Sequence, residues 1–168
     1  MLSCFRKSIL VCVFFLLLLI AACGRSETYY SVLDGQKLGS EQLRGKVIFI
    51  NYWAEWCKPC RIEIPELNRF ASVHADEVIV LSVNFDGEQD EALRSQVKSL
   101  GIEFPTLLLD PRVELGVEAS GVLPETLVLD RTGEVFKLLI GPQTETSLEA
   151  VLAEIERVGL RSGGGLGK

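Results

Sequence analysis

Cys57 and Cys60 stand two residues apart in the stretch Trp53-Ala54-Glu55-Trp56-Cys57-Lys58-Pro59-Cys60. Thiols at this spacing can close a disulfide, exchange it with the disulfide of another protein, or give a metal two of its ligands. Cys60, Ile64, Leu67 and Ala71 recur at helical spacing between about Cys57 and His74. That periodicity predicts a helix with Cys57 at its N-terminal end. The positive end of the helix dipole favours a thiolate there, and in C-x-x-C motifs the thiol pKa falls to ~3.5–7.5. Cys57 is therefore the expected attacking sulfur, and Cys60, one turn along the same face, the one that resolves a mixed disulfide. Lys58 adds a positive charge beside the pair, while Pro59 removes an N–H and stiffens the turn.

A zinc site would need four ligands, and the sequence has neither a second C-x-x-C nor paired histidines. Its single histidine, His74, is expected to be a solvated surface residue at the far end of the helix. No metal and no other cofactor is expected.

The elements that must hold the dithiol follow from the surrounding pattern. Val47-Ile48-Phe49-Ile50-Asn51-Tyr52 and Val78-Ile79-Val80-Leu81-Ser82-Val83 are nearly continuous apolar runs rich in β-branched residues. Such runs predict central strands covered on both faces. Pro65 should kink the helix between them. Leu93, Val97 and Leu100 mark a second helix ending at Gly101. An insert follows from Phe104 to Asp110, with a short helical stretch near Val113 to Gly116. Thr126 to Leu129, a turn at Asp130-Arg131-Thr132-Gly133, and Val135 to Ile140 predict a β-hairpin. A last helix starting near Thr144 should face inward with Leu148, Val151, Leu152 and Ile155. A mixed sheet with helices on both faces, an α/β fold, is the expected architecture.

Arg6 and Lys7 precede an apolar run from Ile9 to Ala22, and no acidic residue appears before Glu27. This is the layout of a secretory signal, and the run is shorter than the ~20 residues a membrane-spanning helix needs. It ends Leu19-Ile20-Ala21-Ala22-Cys23, which resembles the bacterial lipobox, with an A-x-A cleavage site as the alternative. Lipidation of Cys23 would attach the protein durably to a membrane, each buried CH₂ contributing ~0.8 kcal/mol. Gly24 rather than aspartate follows, which by resemblance to enterobacterial sorting favours the outer membrane. With Cys4 and Cys12 lost and Cys23 acylated, Cys57 and Cys60 are left as partners for each other.

The formal charge is −6, becoming −8 when Arg6 and Lys7 leave with the signal. Nucleic acid is not expected as a partner, since it would want a basic face. Roughly 145 mature residues suffice for one domain with a core. The expected organisation is a signal peptide over 1–22, a lipid-anchored tether over 23–30, one domain over 31–158, and a disordered glycine-rich tail over 159–168.

The stretch from Trp53 to Cys60 resembles the thioredoxin active site, and the likeness extends over about 31–158. Gly45-Lys46-Val47 leading to Asn51-Tyr52-Trp53, Arg61-Ile62-Glu63-Ile64-Pro65, Phe104-Pro105-Thr106-Leu107-Leu108 and Gly121-Val122-Leu123-Pro124-Glu125-Thr126 are similar to the exported TlpA/ResA/DsbE-like branch of that superfamily. The resemblance implies that Pro124 is the cis-proline facing the dithiol and that Leu123 presents backbone to an incoming peptide. It implies that Trp56 shields the dithiol and, with Lys58 and Pro59, contributes a substrate surface, and that Glu63 helps to move protons. Asn51 stands where cytosolic thioredoxins carry a buried aspartate, so that proton route is absent and Glu63 or water would substitute.

The same resemblance implies a monomeric thiol-disulfide oxidoreductase in the bacterial cell envelope, facing the periplasm. It would reduce disulfides in exported clients, often in cytochrome c maturation, and be recharged by a membrane donor of the DsbD/CcdA type. A disulfide-forming oxidase remains the alternative direction, with a metal-delivery or non-catalytic binding module further off. Copper-delivering proteins of this fold use a C-x-x-x-C and a distant histidine, neither matched here. A peroxidase of the peroxiredoxin type would need a threonine where Ala54 stands.

Overall fold

The apolar run from Val47 forms strand β3 (Val47–Trp53), and all 7 of its residues are buried. The computed structural model describes residues 29–163, and side chains through 160. The expected signal peptide, Cys23, most of the tether and the end of the tail lie outside the described residues. Before β3 come β1 (Tyr29–Ser31), β2 (Lys37–Gly39) and a one-turn helix α1 (Ser40–Leu43). After it come α2 (Lys58–Val73), β4 (Val78–Asn84), α3 (Asp90–Leu100), α4 (Arg112–Leu115), β5 (Glu125–Leu129), β6 (Val135–Ile140) and α5 (Glu145–Gly163).

The main sheet has the order β4-β3-β5-β6. β3 runs parallel to β4, as the crossover through α2 requires, and antiparallel to β5, which pairs with β6 in a hairpin. The insert adds an edge to this sheet: Thr106 bridges Ser82, and Leu107 bridges Val32 beside the β1–β2 pair. Alternate residues of β3 feed two cores. Val47, Phe49 and Trp53 pack with Ile64, Leu67 and Phe70 of α2 and with Leu148, Val151, Leu152 and Ile155 of α5. Ile48, Ile50 and Tyr52 pack on the other face with Leu81, Val83, Leu107, Leu127 and Leu129, under Leu43 of α1 and Leu115 of α4. Each such buried side chain contributes about 1.5–3 kcal/mol relative to exposure. Helices lie on both faces of a mixed sheet, the α/β thioredoxin-like fold.

Three expectations change. Residues 29 and 30, expected in the tether, belong to β1, where Tyr29 and Tyr30 pair with Gly39 and Leu38. The last helix continues past 158 to Gly163 although Val158 and Leu160 are exposed, since extending a packed helix adds one hydrogen bond per residue fixed. His74 is not a free surface residue: it packs on the Phe70 ring at 4.8 Å, with Glu77 3.2 Å from Nδ1 and Glu149 3.7 Å from Nε2. Helix α2 runs on through Pro65 to Val73, one N–H of its ladder missing at the proline.

Candidate active site

β3 ends at Trp53, and four residues later the chain reaches Cys57, the N-cap of α2. The Cys57 Sγ accepts the backbone N–H of Cys60 at 3.3 Å, the role a serine or aspartate oxygen plays at other helix starts. A disulfide joins the two cysteines, with Cα atoms 5.3 Å apart. The first turn of α2 contains no acidic residue, so no side-chain charge there offsets the positive helix end that the Cys57 sulfur faces. Cys60 is 0% exposed and Cys57 3%, so whatever solvent touches of the pair belongs to Cys57. Lys58 is exposed and Pro59 half-buried.

Three contacts hold the loop that carries the motif. Arg61 donates from Nε and Nη2 to the Glu55 carbonyl at 3.2 and 2.6 Å, pinning the loop to the helix it precedes. The Phe85 N–H donates to the Trp53 carbonyl at 2.8 Å. The Trp56 indole, 67% exposed, donates its Nε1–H to Asp86 at 2.9 Å. Trp53, by contrast, is wholly buried, so the two tryptophans divide into one core and one rim aromatic.

Glu63 lies one turn beyond Cys60 on the same face of α2 and is 1% exposed. Its Oε1 accepts from Asn51 Nδ2 at 2.6 Å and its Oε2 from the Gln143 N–H at 2.8 Å. Burial raises its pKa to about 7, against the opposing pull of the Gln143 and Asn51 donors. Asn51 Nδ2 also donates to Thr126 Oγ1 at 3.1 Å, while Asn51 Oδ1 has no partner among the described residues. A carboxyl that titrates near neutrality can take and return a proton at working pH.

Residues 122–124 lead into β5. Tyr52 of β3 is the ladder partner of Glu125, which sets Pro124 abreast of Trp53, where the motif loop departs. The Leu123–Pro124 bond is cis, and Pro124 is buried. Leu123 is half-buried and packs against the core cluster that contains both cysteines. Among the described residues no hydrogen bond is made by the Leu123 N–H or carbonyl, which leaves both able to pair with an extended chain.

The fold thus brings Cys57, Cys60, Glu63, Trp56, Lys58, Pro59, Leu123 and Pro124 to one end of the sheet. Thr126, Gln143 and Asp86 belong to the same constellation and were not read from the sequence. Asn51 and Thr126 signalled themselves as polar residues inside apolar strands, which need buried partners. Gln143 acts through its backbone and Asp86 from a loop, and neither carries a pattern. Among the described residues no three His, Cys, Asp or Glu side chains stand together as metal ligands would.

Comparison with known proteins places this geometry. Residues 28–138 match the AhpC/TSA family model. The thiol-disulfide oxidoreductase ResA of Bacillus thuringiensis (strain Al Hakam) is 33% identical over 124 residues, 73% of this chain and 71% of that protein. A crystal structure of a DsbE thiol:disulfide interchange protein from Chlorobium tepidum superposes with a TM-score of 0.59 at 25% identity, covering 77% of this chain and 93% of that one. The pneumococcal exposed lipoprotein thioredoxin of Streptococcus pneumoniae strain TIGR4 gives a TM-score of 0.64 at 24% identity, covering 77% and 99%. With its Cys57–Cys60 disulfide at the start of a helix at the sheet end, this chain belongs to the thioredoxin-like AhpC/TSA family as a disulfide oxidoreductase of the TlpA/ResA/DsbE kind.

Proposed function

We propose that the protein reduces disulfides of exported client proteins at the cell envelope. The observation that carries this reading is the Cys57–Cys60 pair, of which only Cys57 reaches the surface, beside a Leu123 backbone free to pair with a client strand. The Cys57 thiolate attacks one client sulfur; a Cys57–client bond forms, the client disulfide breaks, and one client thiolate leaves. Cys60, once deprotonated, attacks the Cys57 sulfur; the Cys57–Cys60 bond forms and the second client thiolate leaves. Two electrons pass to the client, and its two thiolates take their protons from solvent. Glu63, one turn from Cys60, serves as the group that accepts the Cys60 proton, with Asn51 holding its carboxyl in place.

Reduction is the favoured direction because Glu63, when ionised, opposes a nearby thiolate by like charge, and Lys58-Pro59 is close to the Gly-Pro of reducing thioredoxins. A donor at the membrane, of the DsbD/CcdA type, returns the two electrons, and clients of cytochrome c maturation fit the same chemistry. The leader and Cys23 support export and a lipid anchor, and Gly24 after the cysteine favours the outer membrane. No helix among the described residues is long and apolar enough to cross a membrane. The protein works as a monomer.

Cys60→Ala tests the reading, because it removes the resolving sulfur and should trap clients as mixed disulfides on Cys57. Recovery of exported, cysteine-bearing proteins only from this variant is the expected result, and trapping through Cys60 in a Cys57→Ala variant would overturn it. Equilibration with dithiothreitol or glutathione fixes the direction: a potential near thioredoxin's ~−270 mV supports reduction, and one near ~−120 mV supports oxidation.

A further inference from the structure

Arg112, in the four-residue helix α4 of the insert, is 6% exposed and Glu125, the residue after Pro124, is 1% exposed. Their side chains form a buried ion pair between Arg112 Nη1 and Glu125 Oε1. The guanidinium also lies over the Tyr52 ring, 3.6 Å from its centroid, and its Nε donates to Asp110 Oδ2 at 3.1 Å. Asp110 Oδ1 accepts the Tyr52 hydroxyl at 2.9 Å. Burial, with the Asp110 carboxylate beside it, pushes the Tyr52 phenol up, so it stays a donor. The other oxygen of Glu125 accepts the Ser120 N–H at 3.2 Å. Ser120 in turn closes a turn on Val122 through its hydroxyl, across Gly121 at φ 76.

The chain of contacts runs from the insert to the loop that presents Leu123, and it touches neither cysteine. A buried pair of this kind gains little over apolar residues of the same size, so its value lies in geometry: five donors in a fixed fork set where the Glu125 carboxylate stands, and that carboxylate sets where Ser120 stands. We propose that Arg112 is a positioning residue for client recognition, holding the 119–123 loop through Glu125 so that the Leu123 backbone meets an extended peptide in register. The disulfide chemistry at Cys57 proceeds without it. This rests on the reading that clients pair with Leu123.

The test uses a double variant, Arg112→Met with Glu125→Met, which removes both charges together and keeps the volume, alongside Arg112→Lys, which keeps the charge but loses the fork and the ring contact. Each is assayed with a disulfide-bonded peptide and with a small aromatic disulfide, and the Ser120 amide is followed by hydrogen exchange. The expected result is a rise in KM for the peptide of about tenfold in the double variant, below the ~10²-fold that a 1 Å misplacement can cost, with unchanged rates on the small disulfide, lost protection at Ser120, and partial recovery in Arg112→Lys. Equal loss on both disulfides, or an unchanged peptide KM, would overturn the proposal. If the unaltered protein shows no preference for the peptide over the small disulfide, the client reading itself fails, independently of Arg112.

Discussion

Two carboxylates, Glu63 and Glu125, are each 1% exposed near the same end of the sheet, yet they are held in opposite ways. Glu125 faces a guanidinium and a backbone N–H. Glu63 faces an amide and a backbone N–H, with no cation among its hydrogen-bond partners. Neutral donors repay only part of the desolvation of a charge, and Glu63 accordingly titrates near 7. A formal counter-charge makes Glu125 a fixed strut. The same side chain titrates near neutrality in one place and is half of an ion pair in the other, and the difference is the partner rather than the depth.

The largest effect should come from taking the strut's acid away. Glu125→Ala leaves Arg112 buried without its main partner and should cost about 3–5 kcal/mol, seen as a lower urea midpoint at unchanged slope. A loss below about 1 kcal/mol would mean that Asp110 and water serve Arg112 as well, and the contrast between the two acids would collapse.

Glu63→Gln should act in the other direction. Because folding raises the Glu63 pKa from 4.5 to about 7, the native state holds the proton more tightly than the unfolded chain. The stabilising contribution is therefore complete below about pH 4.5 and is lost as pH rises through about 7. The span corresponds to an upper value on the order of 3 kcal/mol at 1.36 kcal/mol per unit. The glutamine variant should equal the parent near pH 4.5 and exceed it at pH 8 in denaturant melts. Identical pH dependence in both proteins would show that Glu63 is not the group titrating.

A smaller effect, about 1–3 kcal/mol for one bond to a charged acceptor, is expected from Asn51→Leu. It removes a donor that favours the ionised carboxylate, so the Glu63 midpoint, followed by carboxyl resonance or infrared band, should move further up. A downward movement would contradict the assignment of Asn51 as donor. The smallest change should follow Lys58→Ala: an exposed charge is worth ~1 kcal/mol or less. The pH midpoint of iodoacetamide labelling at Cys57 should rise slightly, and added salt should erase the difference. A large rise would give Lys58, rather than the helix end, control of the thiolate.

Much of the scaffold could be read from periodicity. β3, β4, the β5–β6 hairpin, α2 and α5 have long apolar signals, and Cys57 as the start of α2 follows from the spacing of Cys60, Ile64 and Leu67. The relations between distant polar residues could not be read that way. Glu63 meets Gln143 across 80 positions, and Asn51 meets Thr126 across 75; no local pattern encodes such pairs. Nothing in the sequence pattern singles out Arg112, which precedes the short helical stretch read from Val113, and only its burial against Glu125 reveals that it has a partner. His74 misled because Phe70 and Glu77 enclose it from its own segment and Glu149 is added only when α5 docks on α2.

The antiparallel pairing of β3 with β5 fixes the dithiol and Pro124 side by side through two adjacent strands. The insert, running from Phe104 through α4, adds no strand to that ladder: its backbone bridges Ser82 and Val32 through Thr106 and Leu107, and it meets β3 and β5 through side chains, Asp110 and Arg112 on Tyr52 and Arg112 on Glu125. The molecule is therefore modular in a specific sense. An exchanged insert that still supplies a partner for Glu125 would leave sulfur and proline at the same separation, because the backbone pairing that spaces them runs directly from β3 to β5. Diversity in what such proteins recognise can accumulate in the insert, while the reacting atoms stay where the ladder holds them.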